Sequence, residues 1–236
     1  MISKLINIIL SLFFPSRCAI CDGIVTESGS VCSQCSSKVH FLSDSVCMVC
    51  GKKVEEGKVY CYDCTRKEHA FIRNYAVFVY ADIRESLYRF KYNGRAEYAK
   101  YYAKATYGYL GKQLSGLGAQ ALVPIPLHPS KKRKRGYNQA EEFANELSQL
   151  LGIPVSMNLV KREKKTKPLK TLNASERQNN LKKAFLILQN DVKLNTIILI
   201  DDIYTTGATL DAVAAVCHEA GIAHVYGLTV AVGTGL

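Results

Sequence analysis

Eight of the nine cysteines fall in four C-x2-C pairs: Cys18/Cys21, Cys32/Cys35, Cys47/Cys50 and Cys61/Cys64. Two thiolates separated by two residues close a tight knuckle on one tetrahedral ion, and two knuckles complete four sulfur ligands. Adding 29 to the first four positions gives the second four, so the segment is a tandem duplication of C-x2-C-x10-C-x2-C. Ser16/Ser45, Ile20/Val49, Val25/Val54 and Glu27/Glu56 follow the same offset. The repeat predicts two structural zinc ions, one per unit, in preference to disulfide or redox chemistry. Cys217 stands apart and reads as structural.

The second stretch with chemistry in it is "TIILIDDIYTTGATL". An apolar strand, Thr196 to Ile200, delivers Asp201 and Asp202 to its carboxyl end. Tyr204, Thr205, Thr206, Gly207, Ala208 and Thr209 then form a turn into a helix, whose unpaired N–H groups and dipole favour a phosphate. Gly207 permits close backbone approach, and the threonine hydroxyls add donors. The paired carboxylates repel phosphate but suit vicinal sugar hydroxyls or a magnesium ion.

Charge is the third signal. Lys and Arg number 31 against 20 Asp and Glu, a formal +11. Residues 131 to 183 hold fourteen basic and five acidic side chains, a net +9 concentrated on two loops expected at the ligand end of the α/β sheet. A small-molecule phosphate site uses one or two of these cations, and single-stranded DNA accounts for the excess. On this reading Lys131, Lys132, Arg133, Lys134, Arg135, Lys164, Lys165 and Lys167 meet phosphates while Tyr137 stacks on a base; the alternative is a solvated basic face. Residues 1 to 66 are near neutral, with seven basic and six acidic side chains, and offer surface, dimer contacts or stacking groups such as Tyr60 and Tyr62.

The elements that position these groups follow from periodicity. At 236 residues, 48% hydrophobic and 22% charged, the chain is neither disordered nor collagen-like. The apolar run from Ile6 to Phe14 is interrupted by Asn7 and Ser11 and stopped at Pro15, too short to span a bilayer. It reads as a helix packing through Leu5, Ile9 and Leu12, so no integral membrane protein is expected, and the cysteine usage points to the cytoplasm. The boundary falls near residue 68: residues 1–67 form the N-terminal helix and duplicated zinc region, and 68–236 an α/β domain.

In that domain Tyr75 to Tyr80 is a strand, Ile83 to Gly111 helical, and Ala121 to Pro126 a short strand entering a loop. Asn138 to Leu151 is an amphipathic helix, Leu210 to Ala220 a helix, and "HVYGLTVAV" the last strand. Such alternation predicts a mostly parallel sheet with flanking helices and ligands beyond the carboxyl ends of its strands. The tyrosines at 98, 101, 102, 107 and 109 read as packing or interface residues, and His40, His69, His218 and His224 as structural.

Asp201-Asp202-Ile203-Tyr204-Thr205-Thr206-Gly207 resembles the phosphoribosyl-pyrophosphate (PRPP) signature of type I phosphoribosyltransferases. Over nearly the full length, the duplicated zinc region, "FKYNGR" (Phe90 to Arg95), "VPIPLHPSKKRKRGYNQA" (Val123 to Ala140), "ERQNNLKKAF" (Glu176 to Phe185) and that signature resemble the ComF family, ComFC-type proteins of natural transformation. The resemblance implies that Asp201 and Asp202 hold the ribose hydroxyls and the loop Thr205 to Thr209 the 5-phosphate. It further implies that Leu127 to Ser130, with His128, face the pyrophosphate, and that residues 164 to 180 close over the substrate. Purine-salvage members carry a carboxylate two residues before the signature glycine; Thr205 stands there, which disfavours a 6-oxopurine acceptor.

Two functions follow. One is a DNA-binding protein of transformation, with single-stranded DNA, PRPP and proteins of the uptake machinery as partners. The other is an active phosphoribosyltransferase using PRPP with magnesium on an unknown acceptor, its catalytic residues unassigned.

Overall fold

The computed structural model describes residues 15–25, 29–42, 45–162, 184–188 and 193–233. The expected N-terminal helix through Leu5, Ile9 and Leu12 lies outside them. So do Lys164, Lys165, Lys167 and the rest of the basic segment from 163 to 183.

After a single helical turn, α1 (Ser33–Ser36), the order is β1 (Asn74–Val79), α2 (Tyr80–Tyr92), α3 (Tyr98–Ser115), β2 (Ala121–Pro124), α4 (Pro129–Arg135) and α5 (Gln139–Leu151). Then come β3 (Val160–Arg162), β4 (Phe185–Ile187), β5 (Thr196–Tyr204), α6 (Ala208–Glu219) and β6 (His224–Val232). Four strands form a parallel sheet in the order β1-β6-β5-β2, and β3 and β4 make a separate antiparallel pair.

The period-2 alternation of β5 divides the core. Ile197 and Leu199 join one buried cluster with Leu210, Val213 and Cys217 of α6; Ile198 and Ile200 join the other with α2, α3 and α5. Each fully buried Ile or Leu contributes about 1.5–3 kcal/mol relative to exposure. Tyr98 and Tyr102 of α3 are among the buried aromatics of the three-helix face, as their helical spacing predicts.

Both sheet edges are covered. Along β1, Leu42 N donates to Val77 O at 2.9 Å and Asn74 N to Val49 O at 2.7 Å, so the zinc region shields an edge otherwise open to pairing. Along β2, Leu122 N donates to Pro154 O and Ser156 N to Leu122 O, both at 2.9 Å.

Two expectations are corrected. The strand expected to stop at Ile200 runs to Tyr204, because β6 pairs with it that far: Asp201 lies opposite Thr229 and Tyr204 opposite Val232. The acid pair therefore sits within the strand. Lys131 to Arg135, expected in a loop, are helical: Pro129 fixes the first turn, His128 caps it by accepting from Ser130 N, and Gly136 closes it in the left-handed conformation at φ 85°.

Candidate functional site

The cysteines gather as the duplication predicts. Cys18, Cys21, Cys32 and Cys35 form one set and Cys47, Cys50, Cys61 and Cys64 the other, with the sulfurs of each set within 4.8 Å of one another. A tetrahedron with zinc–sulfur bonds of ~2.3 Å has edges of about 3.8 Å; Cys21–Cys32 at 3.9 Å and Cys50–Cys61 at 3.6 Å match it. All nine cysteines are free thiols. Burial, then the neighbouring sulfurs, push the Cys35 thiol up; at Cys50 the bond with Cys47 comes first, then burial. Four coexisting thiolates therefore need a divalent cation between them, and two structural zinc ions fit.

Each site is sewn to the α/β domain. Asp22, in the left-handed region at φ 66°, receives Arg95 Nη2 at 2.9 Å and Tyr98 Oη at 2.5 Å. Burial raises the Asp22 pKa, yet these bonds outweigh it and hold the carboxyl below its usual range. Around the second site, Asn74 Nδ2 donates to Cys50 O at 3.0 Å, and a Cβ on Gly51 (φ 76°) would lie 2.9 Å from Asn74 O.

The phosphate-type turn stands at the carboxyl end of β5. Thr205 and Thr206 are exposed, and Gly207 (φ 75°) is the N-cap of α6. Tyr204 is buried beneath the turn, its ring edge-on to Phe71 with centroids 6.1 Å apart. Ala208 and Thr209 begin the helix, where Ala208 N donates to Thr206 Oγ1 at 3.5 Å. Ile125 N donates to Ile200 O at 2.9 Å, so the segment Leu127–Ser130 leaves β2 beside Asp201. In it Leu127 and His128 are half-buried, and His128 Nδ1 lies 2.7 Å from Ser130 Oγ, a capping contact.

Asp202 is ion-paired with Lys91 at 2.9 Å, both side chains largely shielded. Desolvation, then the charge of Asp202, push Asp201 up to about 7. A carboxyl so raised can donate a proton as well as accept one, which suits hydroxyl recognition.

Between Leu127, Lys132 and Arg133 on one side and Met157, Lys161 and Arg162 on the other runs an open groove of about 660 Å³. Lys131, Arg133 and Lys134 of α4 project into solvent, with no ion pair among the described residues. Lys132 pairs with Glu141 at 2.6 Å, and Arg135 donates to Gln139 Oε1 at 2.7 Å. Tyr137 is tied down: its hydroxyl donates to Phe90 O and its ring packs on Phe90 at 6.1 Å. This half-buried ring is held against the core, unlike the base platform expected of it.

Sequence reasoning misses three participants. Lys91 sits in the quoted "FKYNGR", but its partner Asp202 is remote in sequence. His69 reads as one more structural histidine, yet its Nδ1 donates to Asp211 Oδ1 at 3.0 Å and its Nε2 stands 3.6 Å from Cys64 Sγ. Asp211, in the first turn of α6, also receives Lys67 Nζ at 2.5 Å and Ala70 N at 3.0 Å. Burial raises its pKa, but the bonds from His69 and Lys67 hold it below the usual carboxylate range.

A family model described as a double zinc ribbon domain matches residues 9–65, and one described as a phosphoribosyl transferase domain matches 138–232. The chain is 29% identical over 217 residues to Competence protein F of Haemophilus influenzae, covering 89% of this chain and 94% of that protein. It is 30% identical over 224 residues to Competence protein ComFC of Bacillus subtilis, covering 86% and 89%. It is 26% identical over 219 residues to the DNA utilization protein YhgH of Escherichia coli K12, covering 91% and 96%.

Proposed function

The chain belongs to the ComF family of competence proteins, and on that premise we propose that it binds single-stranded DNA in natural transformation and carries a PRPP site at the β5–α6 junction. The observation that carries this reading is a juxtaposition. The acid pair and glycine turn share one end of the sheet with helix α4, whose exposed Lys131, Arg133 and Lys134 exceed what one phosphate ligand can use. A relative named for DNA utilization supports the DNA half, and the match to a phosphoribosyl transferase domain supports the PRPP half. Eight cysteines gathered as metal-ligand sets in place of disulfides favour a reducing, cytoplasmic setting.

The test is a salt titration of binding to an oligothymidylate. Replacing Lys131, Arg133 and Lys134 with alanine should weaken binding and reduce the slope of log affinity against log salt by about 0.7 for each phosphate no longer neutralised. Unchanged affinity and slope would remove the basic helix from the DNA site.

The coupling of Lys91 to Asp202 favours a second reading, an active phosphoribosyltransferase. Asp201 and Asp202 would accept the ribose hydroxyls, the amides of Thr205 to Thr209 would hold the 5-phosphate, and Leu127 to Ser130 would face the departing pyrophosphate. Magnesium, arriving with PRPP, would neutralise the leaving group. Asp201→Asn with Asp202→Asn should then abolish pyrophosphate release while zinc content stays intact; retained release would move the chemistry elsewhere.

A further inference from the structure

Helix α2 ends in two consecutive residues that face different sites. Lys91 turns to Asp202 in the phosphate site. Tyr92 turns outward, where it meets Tyr88 one helical turn earlier, with ring centroids 5.0 Å apart and an interplanar angle of 47°. Both rings are exposed, Tyr88 by 55% and Tyr92 by 54%. The guanidinium of Arg135 lies 4.7 Å from the Tyr92 centroid and donates to Tyr92 Oη at 3.1 Å. A line of π surface therefore runs from Tyr88 through Tyr92 onto a guanidinium plane, and from there into the cationic helix α4.

A single exposed tyrosine needs no explanation. Two adjacent rings coupled to the most basic helix of the chain do, because stacking surface beside phosphate-binding charge is what unpaired bases require. A duplex keeps its base faces stacked inside, which fits the charge but not the rings. We propose that Tyr88, Tyr92 and Arg135 form the base-stacking platform of this protein for single-stranded DNA, with the strand's phosphates along Lys131, Arg133 and Lys134. The proposal rests on the DNA reading above and assigns the platform to α2 in place of Tyr137. One strand would thereby pass beside the PRPP site, separated from it by the backbone of Lys91 and Tyr92.

The experiment compares wild type, Tyr88→Ala/Tyr92→Ala, Tyr88→Phe/Tyr92→Phe and Arg135→Lys, each confirmed to hold two zinc ions. Affinities are measured on oligothymidylate, on an abasic strand of equal length and on a duplex. The alanine pair should lose roughly tenfold or more on oligothymidylate with an unchanged salt slope, and nothing on the abasic strand or the duplex. The phenylalanine pair should bind like wild type, and Arg135→Lys should lose part of the affinity with the charge kept. An alanine pair that binds oligothymidylate as tightly as wild type, or loses equally on the abasic strand, overturns the platform and leaves the DNA reading standing. Wild type that binds no single strand at all removes both.

Discussion

His69 stands between the second cysteine cluster and the helix that follows the Gly207 turn, its Nδ1 3.0 Å from Asp211 Oδ1 and its Nε2 3.6 Å from Cys64 Sγ. The bond to Asp211 fixes the orientation of the imidazole beside the cysteine cluster. Tyr204 adds a second connection, with its ring under Gly207 and 6.5 Å from that of His69. The second cysteine cluster therefore packs, through His69 and Tyr204, against the Gly207 turn and the helix α6 that follows it.

Asp211 is the joint of this packing. Asp211→Asn removes a buried charge that answers Lys67 and His69, and should cost roughly 2–3 kcal/mol after allowing for the partial exposure of Lys67. Because its carboxyl is held below the ordinary range, its contribution is present above the unfolded value and is lost as pH falls through the folded one. Denaturant unfolding at neutrality and well below about pH 4, the ordinary range of a carboxylate, should show the wild-type advantage over Asp211→Asn shrinking only in the strongly acid arm. A constant difference would place the charge outside the stability balance.

Zinc removal should be felt at a distance. Cys61→Ser removes one thiolate of the second site, and hydrogen exchange should then rise in residues 205–211 as well as in the ribbon. The matching Cys32→Ser in the first site should act on the segment around Asp22 and Arg95 and spare the turn. Equal protection of the turn in both variants would break the proposed link between the second site and α6.

How much of this is legible from the chain alone depends on sequence distance. The cysteine spacing and the unbroken apolar run of Thr196 to Ile200 are local patterns, and both point to the correct element. Lys131 to Arg135 have a proline at the first helical position and a glycine after the last, ordinary helix signals that the expectation of a basic loop at the ligand end of the sheet passes over. The extension of β5 through Asp201 and Asp202 is imposed by β6, which no window around the acid pair contains. Likewise Lys91 meets Asp202, and His69 meets Asp211, only after the sheet has assembled.

Asp201 makes the stability of the ligand-free protein depend on pH in the opposite sense from Asp211. Its carboxyl, raised to about 7 by desolvation and then by Asp202, binds its proton more tightly folded than unfolded. Its contribution is therefore full in acid, below the unfolded value, and lost as pH rises through about 7. Unfolding measured from about pH 5 to about pH 8 should show a loss on the order of 2 kcal/mol that Asp201→Asn abolishes. Lys91→Met, which withdraws a favourable cation, should move the midpoint upward; a midpoint unaffected by Lys91 would mean that its charge does not reach the pair.

Gly207 tests the packing under the turn directly. Its φ of 75° disfavours any Cβ, and one placed there would lie 2.5 Å from Tyr204 Oη and 2.9 Å from Tyr204 Cζ. Gly207→Ala should cost about 3 kcal/mol, part backbone strain and part overpacking. Tyr204→Phe removes the nearest atom but leaves the ring carbons and the φ, so the double variant should recover about 1 kcal/mol of that cost and no more. A double-mutant cycle with no coupling would show that Tyr204 does not bear on Gly207. Full recovery would mean that the left-handed backbone costs nothing, and that the glycine is there only to make room for the hydroxyl.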